Sequence, residues 1–582
     1  MKTATDCTDF HGFLEIFLWN PCNQWQKTNK MNLKKFLFLS ATLFFLIGCT
    51  NTTEIVNTHT PTKPASPTTT KTPTPNITPT ATITPTPQPR KITQDYGIEI
   101  ENFPANYNPL TGWAVQDPSL LELPALLISI SNIPVSARPQ AGVGFAPWIF
   151  EYYIGEATTR FLAVFYGDYP RRVPNLTGDC PINEETFTPS EKWVGNRVWL
   201  DENENGIQDD WEMGIGGVCV HLYAEGERVE STSTNSNGYY AFNIPAADAA
   251  YFIEFETPND YTITNPNLGN DDQDSDVDAE SERTPSFLGY EADTSLDLGL
   301  IPLNIPVATP SPVVTGTPPA WYLPLDAYAG PIRSGRLTYD HVNKMFTNSC
   351  LIFASAAADI LAQLNPCHLV YGVDTSTPNS ALLPVDEMRS IAERQSLNGK
   401  APNYSGNLFS VTLPNVTSEA ASYLSVYYHE FSQSAWRYDP ISQSYLRFTD
   451  NADGTGIFHP ASDRLTGRQQ SFENVIVLQA AHDVFRTNQL DIDLRMSQRG
   501  FATLFRDGRV MKIYWSTNNR AWEQKNGLRR PIHFEDVDGN PIALRPGRTW
   551  IHLMTPASFL EKTADGEWRA IFLQPYDPPP VK

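Results

Sequence analysis

The sequence predicts an α+β multidomain protein with an Ig-like β-sandwich in its middle. Short strand-forming segments separated by turn residues recur through residues 193–302, the pattern of a small sandwich. The segments on either side combine continuous apolar strands with a helical stretch, which indicates a mixed α/β domain and a β-rich C-terminal region. With 582 residues, the chain has room for about three to four domains.

The N-terminus contains targeting features rather than a globular domain. Residues 1–30 carry no readable signal and are interpreted as an upstream mis-start, with translation expected to begin at Met31. Residues 31–49 have a basic start and an apolar run too short to span a membrane, and they end Leu-Ile-Gly-Cys. This ending resembles the bacterial lipobox, which implies cleavage before Cys49 and its lipidation, anchoring the protein to a membrane. A non-lipidated signal or a short anchor is the alternative.

Residues 50–91 are nearly all Thr, Pro, Ser and Asn, a composition that cannot bury a core. We expect a disordered, extended stalk, which at ~3.1 Å per residue would reach on the order of 120 Å. Such a stalk would hold the folded domains away from the membrane and within the cell wall.

The acidity of the chain is concentrated in one segment. The net charge is −23, yet residues 201–300 alone contain 23 acidic residues and 2 arginines. A module with this composition is better suited to collecting cations than to binding anionic polymers. The sequence contains no basic stripe or RNA-binding signature, so nucleic acid is not expected as a partner.

Residues 201–212 match the twelve-position calcium loop. Calcium takes six to eight oxygen ligands, alternate side chains of a tight loop converge on it, and Gly206 at position 6 permits the sharp turn. The predicted ligands are Asp201, Asn203, Asn205, the carbonyl of Ile207, Asp209 and Glu212. A second acidic cluster, Asp271–Asp276 with Asp278 and Glu280, is either another calcium site, with Asp272, Asp274 and Asp276 as its ligands, or a solvated loop.

The calcium loop lies between strands rather than helices, which excludes a helix-loop-helix sensor. The predicted strands are Trp193–Leu200, Gly217–Ala224, Gly238–Ile244, Ala250–Thr257 and Thr294–Leu300. In the fourth of these, Tyr251, Ile253 and Phe255 should face the core. The series Gly-Asn-Arg-Val-Trp-Leu-Asp with its acidic loop, then Asn-Gly-Tyr-Tyr-Ala-Phe and Leu-Asp-Leu-Gly-Leu, resembles the SdrD/Cna B-type repeats of bacterial surface proteins. This resemblance implies a calcium-rigidified stalk module over residues 193–302.

The flanking segments contain a second set of motifs. They include Asn-Pro-Leu-Thr-Gly, Ala-Arg-Pro-Gln-Ala-Gly, Thr-Arg-Phe-Leu and Gly-Pro-Ile-Arg-Ser-Gly-Arg. Together they resemble the YerB-like lipoproteins, a family of unknown function. The resemblance implies an N-terminal domain in two parts, interrupted by the sandwich, and a separate C-terminal domain. The implied boundaries are 106–190 and 321–415 for the two parts, 303–320 for a Pro/Thr linker, and 420–575 for the C-terminal domain.

A set of charged residues in these motifs is the candidate ligand-binding site. Guanidinium groups beside Pro and Gly could hold a carboxylate or a phosphate, although the same residues could instead form ion pairs that brace the domain. The set comprises Arg138, Glu151, Glu156, Arg160, Arg333 and Arg336.

Motifs of nucleophilic hydrolases and phosphate-cradling loops do not occur in the sequence, so no catalytic residue is predicted. The expected role is binding or scaffolding at the cell wall, with a wall polymer or an envelope protein as partner. The alternative is an enzyme that acts on wall glycan or peptide through the Arg/Glu set. In an exported protein Cys350 and Cys367 are expected to form a disulfide, with Cys180 as the alternative partner and Cys219 as a buried thiol.

Overall fold

A computed structural model describes residues 96–171, 177–291, 293–303, 327–372, 379–486, 489–495 and 498–575. The mis-start, the signal segment with Cys49, the stalk and all but the first residue of the linker lie outside the described residues. No helix among the described residues is both long and apolar enough to cross a membrane. We call residues 96–171 the first flank, 193–302 the module and 327–575 the second flank.

The first flank contains short strands that are almost completely buried, because their apolar runs are continuous. The strands are β1 (Tyr96–Gly97), β2 (Leu126–Ser131), β3 (Trp148–Gly155) and β4 (Thr158–Phe165), with 3-10 turns at Ile100–Asn102, Pro118–Glu122, Val135–Ala137 and Val143–Phe145.

The module is built from strands with alternating burial. They are β5 (Trp193–Leu200), β6 (Cys219–Ala224), β7 (Glu227–Ser233), β8 (Tyr239–Asn243), β9 (Ala250–Glu256), β10 (Tyr261–Ile263), β11 (Phe287–Leu288) and β12 (Leu298–Pro302), with a 3-10 turn at Gly289–Glu291.

The second flank begins with short helices and strands. These are β13 (Tyr328–Ala329), α1 (Thr338–Asn343), β14 (Cys350–Phe353), α2 (Ala358–Leu361), β15 (His368–Leu369), β16 (Leu383–Pro384), α3 (Val385–Ser396) and β17 (Leu408–Phe409).

The remainder of the second flank is rich in strands. Its elements are β18 (Ser418–Ala420), β19 (Tyr423–His429), β20 (Ser432–Asp439), β21 (Ser444–Asp450), β22 (Phe458–Pro460), β23 (Ser471–Phe472), β24 (Asn474–Gln479), β25 (His482–Arg486), β26 (Gln489–Ile492), β27 (Arg499–Arg506), β28 (Arg509–Ser516), α4 (Ala521–Asn526), β29 (His533–Glu535), β30 (Thr549–Met554), β31 (Phe559–Ala564) and β32 (Glu567–Ile571).

One 11-stranded sheet joins the two flanks. Its order is β15-β14-β2-β4-β3-β30-β24-β27-β28-β18, with β29 beside β28. The central junction is parallel: Trp148 of β3 is opposite Thr549 of β30, and Tyr152 is opposite Leu553. Apolar side chains cover both faces of the sheet, and the buried Trp148 and Trp550 lie in the two cores on either side. The flanks therefore share a sheet, although they are separated by the module in sequence.

The module is a β-sandwich, as predicted. Its sheets have the orders β10-β12-β5-β8 and β11-β9-β6-β7, and they enclose their own apolar core. Tyr251, Ile253 and Phe255 are buried while Glu254 and Glu256 point away from the core, which confirms the alternation predicted for β9. The described residues of the chain as a whole are mostly β and their helices are short, which leaves the α+β part of the prediction unconfirmed.

The described part of the chain contains two disulfides. The predicted pair Cys350–Cys367 is present. The prediction of a buried thiol at Cys219 is wrong, because Cys219 is bonded to Cys180. The segment before the module runs alongside the start of β6, where the Cys180 N–H donates to the Gly217 carbonyl (2.8 Å). This approach brings the two sulfur atoms together, and the sequence pattern gave no sign of it.

Candidate metal centre and arginine cluster

The predicted calcium loop follows β5 directly and closes on itself as a tight turn. Gly206 at its sixth position has φ +75°, a left-handed conformation that L side chains rarely adopt. A Cβ there would also lie only 2.8 Å from the Asn265 carbonyl oxygen. Both observations explain why the turn requires glycine.

Asp201 anchors the loop from a fully buried position. Its Oδ1 accepts the Asn205 N–H (3.1 Å), and its Oδ2 accepts the Gly206 N–H (2.8 Å) and the Thr264 hydroxyl (2.6 Å). The Thr264 contact was missed by the sequence analysis, since this residue lies on the segment after β10. These bonds orient the first carboxylate of the loop before any ion is considered.

Glu212 closes the loop at its twelfth position. Its carboxylate is 2 % exposed and accepts backbone N–H groups from Glu202 (2.8 Å) and Asp209 (3.1 Å). Burial, reinforced by the nearby charges of Asp201 and Asp209, raises the pKa of Glu212 to about 8. A cation among these carboxylates would favour the ionised form that this position otherwise disfavours.

The remaining predicted side-chain ligands face each other across the loop. The amide groups of Asn203 and Asn205 donate to the Asp209 carboxylate (2.9 and 3.2 Å). The loop thus gathers carboxylate and amide groups at the predicted positions, and hard oxygen donors of this type are the ligands that Ca²⁺ takes. The donor set fits the ion.

A second group of carboxylates lies beside this loop. Ligand oxygens of Asp271, Asp274 and Asp276 lie within 4.8 Å of one another, so Asp271 takes the place predicted for Asp272. Asp274 is 5 % exposed, and no described residue forms a hydrogen bond with its Oδ1. Burial raises the pKa of Asp276 to about 7. The two loops are joined by the Gln208 N–H, which donates to the Gln273 carbonyl (2.6 Å).

Residues between the predicted ligands contact the flanks. The Asp210 carboxylate accepts the Ala114 N–H of the first flank (2.8 Å), and Glu202 pairs with Arg171 (3.2 Å). The Arg171 guanidinium also lies over the Trp211 ring, 5.8 Å from its centroid, and donates to the Trp211 carbonyl. From the second flank, Arg468 donates to the carbonyl of Gly214, just after the loop.

A cavity of about 350 Å³ lies beside these contacts and is lined by residues of the module and of both flanks. Its lining includes Trp113, Asp168, Trp211, Tyr239, Arg468 and Arg548. The module contributes the loop residues Gln208, Asp210, Trp211 and Glu212 to the cavity wall, so the shape of this cavity depends in part on the loop.

The structure does not bring the six predicted Arg and Glu residues into one open pocket. Glu151 is 2 % exposed and accepts hydrogen bonds from the Thr159 hydroxyl (2.9 Å) and the Trp550 indole (3.1 Å). Arg138 pairs with Asp450 (3.2 Å) and also donates to its carbonyl (2.6 Å). These two residues act as internal braces.

The sequence analysis missed the groups that surround Glu151. Arg447 is almost fully buried, and its guanidinium lies 4.5 Å from the Trp550 ring centroid and 5.1 Å from that of Phe161. His552 is fully buried, accepts the Trp436 indole N–H (3.0 Å), and has its pKa lowered well below the usual value by burial and by the Arg447 charge. Single residues on separate strands leave no local motif, so no sequence signal indicated this network.

The other predicted residues separate from this network. Glu156 is exposed at the turn between β3 and β4. Arg160 is buried on β4, and Arg333 and Arg336 are half-buried on the segment before α1, where both arginines repel the Arg160 charge. The three arginines therefore form a cluster of their own.

Comparisons with known proteins agree with this organisation. Family models match three segments: the DUF3048 N-terminal domain, a domain of unknown function, at 110–178; the SdrD B-like domain at 192–300; and the DUF3048 C-terminal domain at 424–551. The boundary between module and flanks in these matches follows the one seen in the structure.

Curated relatives match the module. Serine-aspartate repeat-containing protein F of Staphylococcus epidermidis is 47% identical over 126 residues, 22% of this chain and 7% of that protein. Serine-aspartate repeat-containing protein D of Staphylococcus aureus strain Newman is 46% identical over 79 residues, 13% of this chain and 6% of that protein. The chain thus spans less than a tenth of the length of these relatives.

A crystal structure of the YerB protein from Bacillus subtilis aligns with 77% of this chain and 96% of its own, with 14% identity and a TM-score of 0.38. A score at this level does not by itself establish a common fold. The order of the matched family models confirms the organisation expected from the sequence motifs. The chain therefore carries an SdrD B-like domain inserted between the N-terminal and C-terminal domains of DUF3048, a family of unknown function.

Proposed function

We propose that this protein is a lipid-anchored component of a bacterial cell surface, with a binding or scaffolding role at the cell wall and a calcium-stabilised SdrD B-like module. The observation that carries the proposal is the loop at residues 201–212, in which buried, pre-oriented carboxylates occupy the positions of a calcium loop. The partner would be a wall polymer or an envelope protein bound through the DUF3048 domains.

Calcium would be held by the side chains and the carbonyl predicted from the sequence: Asp201, Asn203, Asn205, Ile207, Asp209 and Glu212. The ion would offset the mutual repulsion of three carboxylates and the cost of burying Glu212. Extracellular modules commonly bind calcium with Kd ~10⁻⁴–10⁻³ M, so even a weak site would be occupied outside the cell.

The contacts between the loop and the first flank would give calcium binding a second effect. Asp210 and Glu202, which bind the first flank, alternate with the ligands in the same loop. An ion that fixes the loop would therefore also fix the module against the DUF3048 domains. We propose that the module acts as a rigid, laterally docked brace rather than as a freely tethered domain.

The anchor follows from the lipobox at Cys49 and the Thr/Pro-rich stalk. Two acyl chains on Cys49 would give lasting membrane attachment, and the stalk would place the folded domains within the wall. Expression of wild type and Cys49→Ser in a Gram-positive host, followed by fractionation, tests this. The wild type should remain with the membrane and the variant should be released. Equal membrane attachment of both would remove the lipid anchor from the proposal.

Calcium uptake by the full chain tests the module. Isothermal titration calorimetry should show binding in the millimolar range or tighter, weakened at least tenfold by Asp209→Asn. The matched control is Asp538→Asn, an exposed aspartate in a turn of the second flank, which should bind as wild type does. Absence of binding by the wild type, or the same weakening in the control, would refute calcium as the stabilising ion.

A further inference from the structure

Three arginines meet on one face of the central sheet. On β4, Arg160 is opposite Ser131 of β2 and Tyr152 of β3. The segment Gly330–Arg336 crosses the end of β2, where Ile332 bridges Ile130 and the Arg333 N–H donates to the Ser129 carbonyl (3.0 Å). Arg333 and Arg336 therefore lie near Arg160 on the sheet, although they are far from it in the sequence.

Hydroxyl groups lie on the same face. The Tyr339 hydroxyl of α1 is 2.7 Å from the Ser129 hydroxyl, and the Tyr339 ring packs edge-on against Tyr152 with centroids 5.9 Å apart. These groups can donate as well as accept hydrogen bonds. The face therefore combines positive charge with neutral donors.

The charge of Arg160 is not balanced by any described acid. Arg160 is 5 % exposed, and its Nε and Nη1 have no hydrogen-bond partner in the described part of the chain. Among the described residues, neither Arg160 nor Arg336 has a carboxylate within ion-pair distance. Burial, together with the nearby charges of Arg336 and Arg333, lowers the pKa of Arg160 to about 10. A buried guanidinium without an anion is costly, so an anionic ligand would stabilise this arrangement.

Two members of the cluster are partly accessible to solvent. Arg333 and Arg336 are half-buried, and Arg336 uses Nη1 locally by donating to the Ser334 hydroxyl (3.0 Å) and the Gly335 carbonyl (2.9 Å). They are the more exposed members of the cluster, and Arg160 is the buried one. An anion could approach the two outer arginines without disturbing the sheet.

We propose that Arg160, Arg333 and Arg336 form a binding site for a phosphate group. Guanidinium groups match the oxygens of phosphate in pairs, and a doubly charged group balances more of the cluster than a carboxylate does. The same chemistry is offered by free phosphate and by the phosphodiesters of an anionic wall polymer. The inference rests on the proposed binding role at the wall and names the class of ligand for it.

The test is calorimetric titration of the full chain at constant ionic strength in chloride buffer. The probes are inorganic phosphate and a glycerol-phosphate oligomer. We expect saturable binding, weakened at least tenfold by Arg336→Gln. The control is Arg569→Gln, a half-buried arginine in another sheet that lies over the Tyr427 ring. Tighter binding of the oligomer identifies a polymer as the source, and equal binding per phosphate identifies free phosphate.

Failure of the wild type to bind either probe saturably would overturn the proposal, as would wild-type affinity in Arg336→Gln. A second measurement uses Arg160→Met, which removes the buried charge. Phosphate should raise the melting temperature of the wild type but not of Arg160→Met, and an equal rise in both would also overturn it. Neither measurement depends on calcium or on Cys49, so a negative result here is distinguishable from failure of the surface-anchor proposal.

Discussion

Replacing Glu212 by glutamine should stabilise the module without calcium and destabilise it with calcium. The side chain is 2 % exposed and its two carboxylate oxygens accept backbone N–H groups from Glu202 and Asp209. Glutamine keeps the shape and removes the charge, but it has one acceptor oxygen and so gives up one of these two hydrogen bonds. The variant therefore separates the free-energy cost of burying the charge from the contribution of position 12 to calcium binding.

The magnitude follows from the pKa. Burial raises the pKa of Glu212 from 4.5 to about 8, so at pH 7 the folded protein without calcium holds a proton that the unfolded chain has released. This difference costs up to about 3 kcal/mol at pH 7. The lost hydrogen bond costs about 1 kcal/mol, which leaves the variant more stable by up to about 2 kcal/mol. Because the folded-state pKa is raised, the penalty is absent below pH 4.5 and grows up to pH 8.

Calcium reverses this order. At a hundredfold excess over Kd the ion stabilises the wild type by about 2.7 kcal/mol, whereas the variant lacks the ligand at position 12. Urea unfolding followed by fluorescence is suitable, since Trp211 lies within the loop. Measurements in EGTA and in calcium at pH 7 should be compared with Glu227→Gln, an exposed position on β7. A variant less stable than wild type in EGTA, or equally stabilised by calcium, would refute the reasoning.

Three further predictions concern the rest of the fold. Cys219→Ser opens the disulfide to Cys180, which spans 39 residues, and should lower the free energy of unfolding by up to about 4 kcal/mol. Urea unfolding measures this change. The prediction would be contradicted if a reductant left the free energy of unfolding of the wild type unchanged. Arg447→Ala leaves the buried Glu151 without its neighbouring cation and should cost about 3–5 kcal/mol, part of which Glu151→Gln restores in a double-mutant cycle. Additive effects would show that the two residues are not coupled. Burial lowers the pKa of His533 to about 3, so the folded protein keeps this histidine neutral. The unfolded chain binds a proton here below pH 6.5, and the free energy of unfolding therefore falls as the pH is lowered from that value. Between pH 7 and pH 4.5, the free energy of unfolding of His533→Gln should fall by about 3 kcal/mol less than that of the wild type. Equal losses in the two proteins would show that His533 is not responsible for the acid sensitivity.

The sequence by itself determined the local elements. The strand predicted at Trp193–Leu200 occurs with the same bounds, and the burial alternation predicted for Tyr251, Ile253 and Phe255 occurs in β9. The tight turn at residues 201–212 was also predictable, because its glycine and its acidic and amide positions lie within twelve consecutive residues. These features depend on side-chain period, turn chemistry and spacing, all of which are properties of neighbouring residues.

The candidate ligand site was predicted only in part. The motifs identified the arginines, but their division into two groups depends on which strands pair. Arg138 reaches Asp450, and Arg160 instead meets a segment that follows the module. Sequence motifs state which residue types are present, and they do not state which of them face each other.

Tertiary structure alone decided how the distant parts of the chain meet. Three contacts join segments that are far apart in the sequence and that no local pattern relates. They are the pairing of β3 with β30, the disulfide between Cys180 and Cys219, and the contact of Arg468 with Gly214. Backbone hydrogen bonds are the same for nearly every residue type, so they do not specify which strands pair. The register of a strand is fixed instead by the packing of the complete core. For this reason the sequence indicated a calcium loop, whereas its position against the DUF3048 domains followed only from the packed structure.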